Sequence, residues 1–251
     1  MSPVASIVFF VVTTLMYAVS RKTPTGDGKE SLRRVLAYFF FTLISQYIFN
    51  LTASVSICGA PQYFNTVMIT LFPWILIFGL TIIFINLNPT WTAPFSNSIG
   101  YMIILAAGLK RVMNSILIPL NSNMGEVSGD FAEALTYIYG NQSLLVNQIT
   151  PSNFKNFWDM FKESGLAKRD MPNDAEGKLL SLVETKETCG VVTWYLLTGI
   201  LAAVVSYNYI ISSQCDLSSE ELKRRHQEYS QVLAAKLDES KKPTRIYTTV
   251  E

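Results

Sequence analysis

Histidine occurs once in the 251 residues, as His226, and this closes most routes to catalysis. Ser-His-Asp hydrolysis and zinc proteolysis both need an imidazole fixed in a site. Histidine-rich membrane oxidases and desaturases need several. His226 instead follows Lys223-Arg224-Arg225 in a polar stretch and reads as a solvated helix residue. No GxSxG, P-loop or GxGxxG pattern is present. No Asp or Glu falls inside a long apolar run, so intramembrane aspartyl proteolysis and carboxylate proton relays have no candidate groups. The three cysteines, Cys58, Cys189 and Cys215, form no CxxC and are too few for a disulfide scaffold. With a net charge of +1 and no broad basic surface, no nucleic-acid contact is indicated. The expectation is a non-enzymatic chain with no catalytic residue, metal or cofactor.

The polar residues that do sit among apolar ones are spaced for helix pairing. Thr42, Gln46, Asn50 and Ser54 follow one another at intervals of four, which makes one stripe on a helix. In lipid such a stripe faces other helices, because unpaired polar groups are costly there. Arg111 and Asn114 share a face with Gly100 and Ala107, and that face can pack against the stripe. The competing reading is a transport path lined by Gln46 and Arg111. Against it, the spans show no inverted repeat.

These groups require membrane helices to position them. Only 16% of residues are charged, against about 25% in soluble domains. The charges fall in blocks, and apolar runs long enough to cross a bilayer lie between them. The fold class expected is all-α and polytopic, with about four or five spans. Residues 1–120 form a transmembrane bundle with spans at about 3–20, 35–57, 66–87 and 97–120, and 190–212 form the last span. The first is read as a retained anchor rather than a signal peptide, since no basic region precedes it. Pro73 lies in the first turns of the third span, and would kink it if the helix starts earlier. Segment 97–120 is the ambiguous one. Lys110 and Arg111 near its middle would cost about 2.5–3.5 kcal/mol each, and a re-entrant or surface helix is the alternative.

Loop 21–34 carries five basic and two acidic residues, which places it in the cytoplasm. Five alternating spans then put residues 121–189 on the lumenal side and the tail, 213–251, in the cytoplasm. On that topology Asn141 opens a lumenal Asn-Gln-Ser glycosylation sequon. Cys58 and Cys189 both lie at lumenal span boundaries, so either a disulfide or two thiols fits.

Residues 121–189 read as a small helical extramembrane domain. Phe154, Phe157, Trp158 and Phe161 fall at i, i+3, i+4 and i+7 on one helix face, ended by Gly165. That face is either the domain's own core or a surface for membrane or partner. In the tail, Ser218 and Glu221 form a capping box for a helix over about 218–239. Leu222, Tyr229, Leu233 and Leu237 then make a stripe suited to a partner.

The stretch Phe72-Pro73-Trp74-Ile75-Leu76-Ile77-Phe78-Gly79, followed by Asn88-Pro89-Thr90-Trp91-Thr92-Ala93-Pro94-Phe95-Ser96-Asn97-Ser98-Ile99-Gly100-Tyr101, resembles multi-pass internal-membrane or minor capsid proteins of nucleocytoplasmic large DNA viruses. The resemblance covers about residues 66–120. It implies a structural virion protein in an internal membrane taken from the host endoplasmic reticulum. Its cytoplasmic side would face the capsid shell, with loop 21–34 and the tail as contacts for capsid proteins. The partners expected are thus the lipid bilayer, other membrane helices and capsid proteins. The alternatives are a small transporter or channel subunit, and a cellular endoplasmic-reticulum assembly factor.

Overall fold

The computed structural model describes residues 3–21, 28–119, 129–213, 215 and 219–240. These residues are helical, without a strand. The only strand-like pairing among them is an isolated antiparallel bridge between Leu117 and Ala167. The loop residues 22–27, the segment 120–128, Ser218 of the expected capping box and residues 241–251 lie outside the described residues.

Four helices are long and apolar enough to cross a membrane. They are α1 (Pro3–Arg21), α2 (Gly28–Cys58), α3 (Tyr63–Leu87) and the 38-residue helix that we label α9 (Ala175–Ser212). Each exposes large apolar side chains outward, the reverse of a soluble helix, because lipid is the solvent. The third span starts at Tyr63, so Pro73 is interior. Six residues of π-helix, Trp74–Gly79, follow the proline. Such local rearrangement re-satisfies the carbonyl that proline leaves without a donor.

Contacts set the order of the four. Tyr17 of α1 lies against Tyr38 of α2 and Tyr195 of α9, and Phe10 lies against Trp74 and Phe78 of α3. Ser6 meets Gln46, near the other end of the bundle. Neighbouring spans are therefore antiparallel, in an up-down-up-down arrangement.

The segment between α3 and α9 does not form the expected fourth span. It breaks into α4 (Pro89–Ala106) and α5 (Leu109–Ile116), bent by 81°. Gly108, at φ +105°, makes the corner, a backbone conformation open to glycine. A disulfide between Cys58 and Cys215 decides the parity. Both α3 and α9 cross between these residues, so the intervening segment must begin and end on one side. The described residues thus form four spans, with the start of α1 and the end of α9 both on the disulfide face. Lys110 and Arg111 are exposed beyond the other face, which spares them the cost of burial in lipid.

Residues 97–120 therefore belong with the extramembrane domain and not with a 1–120 bundle. The domain adds α6 (Gly129–Gly140), α7 (Ser143–Val146) and α8 (Phe154–Glu163). Its core joins Ile104, Leu109 and Met113 to Phe154, Trp158 and Phe161, and to Leu179 and Val183 of α9. The first four turns of α9 are thus part of the domain, and its remainder, about 190–212, is the span. The tail helix, α10 (Ser219–Ser240), follows on the disulfide face.

Candidate functional site

The junction of bundle and domain is where the sequence is most constrained. The helix α4 runs back along α9, antiparallel to it. A Cβ at Gly100 would meet the Lys186 carbonyl oxygen at 2.5 Å, and one at Gly190 would meet the Ser96 Cβ at 2.9 Å. Two glycines thus allow backbone-to-backbone approach, the small-residue logic of membrane helix pairs. A second π-helical stretch, Ser96–Gly100, lies at this contact.

The approach brings two charged residues into the seam. Lys186 is 1% exposed. Its Nζ donates to Asn97 Oδ1 at 3.2 Å and to the Val146 carbonyl at 2.9 Å, tying α4, α7 and α9 together. It lies outside the span, and burial pushes its pKa down to about 8, with the neighbouring Glu187 acting the other way. The Glu187 carboxylate accepts from Thr92 Oγ1 and, at 3.4 Å, from Ser96 Oγ. Just below, Trp194 Nε1 donates to the Trp91 carbonyl at 2.8 Å, Trp91 stacks on Phe84, and Phe95 meets Trp194 edge-on. These aromatics form an interfacial belt.

The span 2 stripe is buried inside the bundle. Ser6 Oγ donates to Gln46 Oε1 at 2.5 Å, and Gln46 Nε2 returns a bond to the Ser6 carbonyl at 3.2 Å. Asn50 Nδ2 donates to Thr70 Oγ1 at 2.9 Å. Thr42 and Ser54 are buried beside them. The stripe therefore joins α2 to α1 and α3, and occupies the half of the bundle nearer the disulfide. Tyr17, Tyr38, Phe78 and Tyr195 fill the other half.

Arg111 and Asn114 do not join this stripe. Both are exposed on α5, and the Asn114 carbonyl accepts from Lys168 Nζ. Leu109, Met113 and Ile116 take the inward face of that helix instead.

The disulfide pairs Cys58 with Cys215, not with Cys189. Cys189 is half-buried at the domain end of the α9 span. About 35 Å of helix separates it from Ser212 at 1.5 Å per residue, so it lies across the bilayer from Cys58. Asn141 lies on the side of the bundle that holds Arg21 and Arg34, and not on the side of Cys58 as five alternating spans would have it. Its Oδ1 accepts from the Ser143 backbone at 3.1 Å.

The aromatic face of α8 points inward. Phe154, Trp158 and Phe161 are each 4% exposed, Phe157 packs beside them, and Gly165, at φ +77°, ends the turn. The tail is the reverse case. Leu222, Tyr229, Leu233 and Leu237 are all exposed. Arg225 Nη2 donates to the Cys58 carbonyl, which holds the first turns of α10 at the span ends. The tail thus lies across the membrane from Arg21 and Arg34.

Lys186, Glu187 and the Gly100–Gly190 contact were not among the expected site residues. Their signal was present, since Leu179, Val183, Lys186 and Gly190 fall on one helical stripe. Among the described residues no three His, Cys, Asp or Glu side chains gather as metal ligands. No family model, curated protein or solved structure matches this chain.

Proposed function

We propose that the chain is a non-catalytic structural membrane protein of a large DNA virus, and that its extramembrane helical domain ties the internal membrane to the capsid shell. The observation that carries this is α9, one uninterrupted helix of 38 residues shared by the bundle and the domain core. A load on the domain passes to the bundle through hydrogen-bonded backbone rather than through a flexible linker. The viral setting rests on the resemblance of residues 72–79 and 88–101.

Two cues support one orientation. The basic loop 21–34 favours the cytoplasm, and the disulfide on the opposite face favours an oxidising compartment. The domain, sharing the loop's face, would then meet capsid proteins, and the tail helix would face the interior. The polar stripe supports a scaffold over a transporter, since Gln46 and Asn50 spend their hydrogen bonds on neighbouring helices.

Detergent stripping of purified virions tests the reading. The wild-type chain should stay with the stripped shells. Exchanging the exposed domain residues Leu144 and Met160 for Asp should release it with the lipid, with membrane insertion intact. A chain that is absent from virions, or that leaves with the membrane in its wild-type form, sinks the proposal.

A further inference from the structure

A lateral groove of about 470 Å³ opens between α1, α4 and α9 on the domain face of the bundle. Its lower walls, Leu15, Val19, Val192 and Leu196, belong to spans. Its upper walls, Ile99 and Ile103, stand beyond the span end near Gly190, level with the buried Lys186 seam. The groove therefore runs from the hydrocarbon into the headgroup layer, which adds about 5–8 Å on each side of the core. Ile99 and Ile103 are exposed there, apolar side chains that need an apolar cover.

Charge indicates what provides it. Arg21 ends α1 two residues after Val19, and Arg33 lies near the start of the α2 span. Both are exposed, and neither guanidinium has an ion-pair partner among the described residues. Arg34 donates to the Ser20 carbonyl at the same end of α1. Lys110 and Arg111 follow the bend above Ile103. Glu184 is the acidic exception on the adjoining part of α9, and Glu187 is turned to Thr92 and Ser96.

We propose that this groove binds one anionic phospholipid of the adjacent leaflet, with an acyl chain along Leu15, Val192 and Leu196 and its phosphate-bearing headgroup at Arg21. Basic clusters at the cytoplasmic ends of spans bind acidic lipids in this way.

Native mass spectrometry of the full chain, released from nanodiscs of mixed phosphatidylcholine and phosphatidylserine, tests this. The wild type should retain one phosphatidylserine, enriched severalfold over its share of the bilayer. Arg21→Gln should return the bound lipid to the bulk ratio. Ile103→Trp, which fills the groove, should remove the bound lipid, and Val19→Trp does the same from the opposite wall if the first variant does not fold. Retention at the bulk ratio by the wild type overturns the proposal. So does enrichment that survives Arg21→Gln, or retention that both filling variants leave unchanged.

Discussion

Cys58, the last residue of α2, and Cys215, three residues beyond the end of α9, are joined through their sulfurs with Cα atoms 5.5 Å apart. This contact brings the second and fourth spans to one face and makes the number of crossings between them even. Peptide mapping of unreduced protein should return the 58–215 pair, with alkylation before reduction marking Cys189. Exchanging Cys58 and Cys215 together for Ser should lower stability by about 2–4 kcal/mol, the common range for a native disulfide. A 58–189 pair would restore the five-span topology.

The four-span arrangement puts residue 140 and the tail helix on opposite faces. On sealed microsomes, an epitope tag at residue 140 should be digested and a tag at the C-terminus protected. Asn141 should carry no glycan. A protected residue-140 tag with a digested C-terminal tag, or a glycan at Asn141, contradicts the assignment of α4 and α5 to the domain; tags that behave alike contradict the crossing of α9.

Three glycines are sensitive, two through close packing and one through its backbone conformation. A Cβ at Gly199 would overlap the Phe10 ring, and one at Gly100 would press on the Lys186 backbone. Gly199→Ala and Gly100→Ala should each cost about 1–3 kcal/mol by overpacking. A Cβ at Gly108 meets open space, so Gly108→Ala should cost about 1–2 kcal/mol through its left-handed backbone alone. Thermal unfolding in detergent measures all three, and the proposed scheme fails if Gly108→Ala is the worst.

The Ser6–Gln46 pair should show direct coupling. Bonds of this kind average about 0.6 kcal/mol in membranes, with a maximum near 1.7. A double-mutant cycle on Ser6→Ala and Gln46→Leu should give a coupling within that range. Reconstituted Gln46→Leu and wild-type protein should both show no solute flux. Measurable flux through the wild type would favour the transporter reading.

Lys186 predicts an alkaline gain in stability. Its folded pKa is lowered to about 8 from the ordinary 10.5, so over that interval the unfolded chain holds more protons than the folded one. Stability from this group therefore rises with pH between those values. The melting temperature of the wild type should gain on that of Lys186→Met as pH climbs through the window. Parallel pH profiles would remove Lys186 as the source.

Much of the bundle was legible from residue type and spacing. Apolar runs between charge blocks mark α1, α2, α3 and the span of α9, and the four-residue interval from Thr42 to Ser54 marks the inward face of α2. The i, i+3, i+4, i+7 spacing of Phe154, Phe157, Trp158 and Phe161 fixed a single face, and tertiary packing chose the domain core for it. Segment 97–120 could not be settled locally, because Ile99–Gly108 is as apolar as a span. Only the turn at Gly108 and the partners Trp158 and Phe161, about 50 residues on, carry Leu109 and Met113 out of the lipid. The Cys58–Cys215 pair was hidden for the same reason, since one crossing too many put Cys215 on the wrong face. Lys186 was missed because a charged residue reads as surface until its acceptors, Asn97 and Val146, are placed.

The disulfide also closes a covalent ring. Residues 58 to 215 form one loop that contains α3, the domain and the α9 span. A single nick anywhere in that loop leaves both halves bonded to each other, and α3 and α9 still embedded. The bundle is thus insured against proteolysis on its exposed domain, for as long as the opposite face stays oxidised.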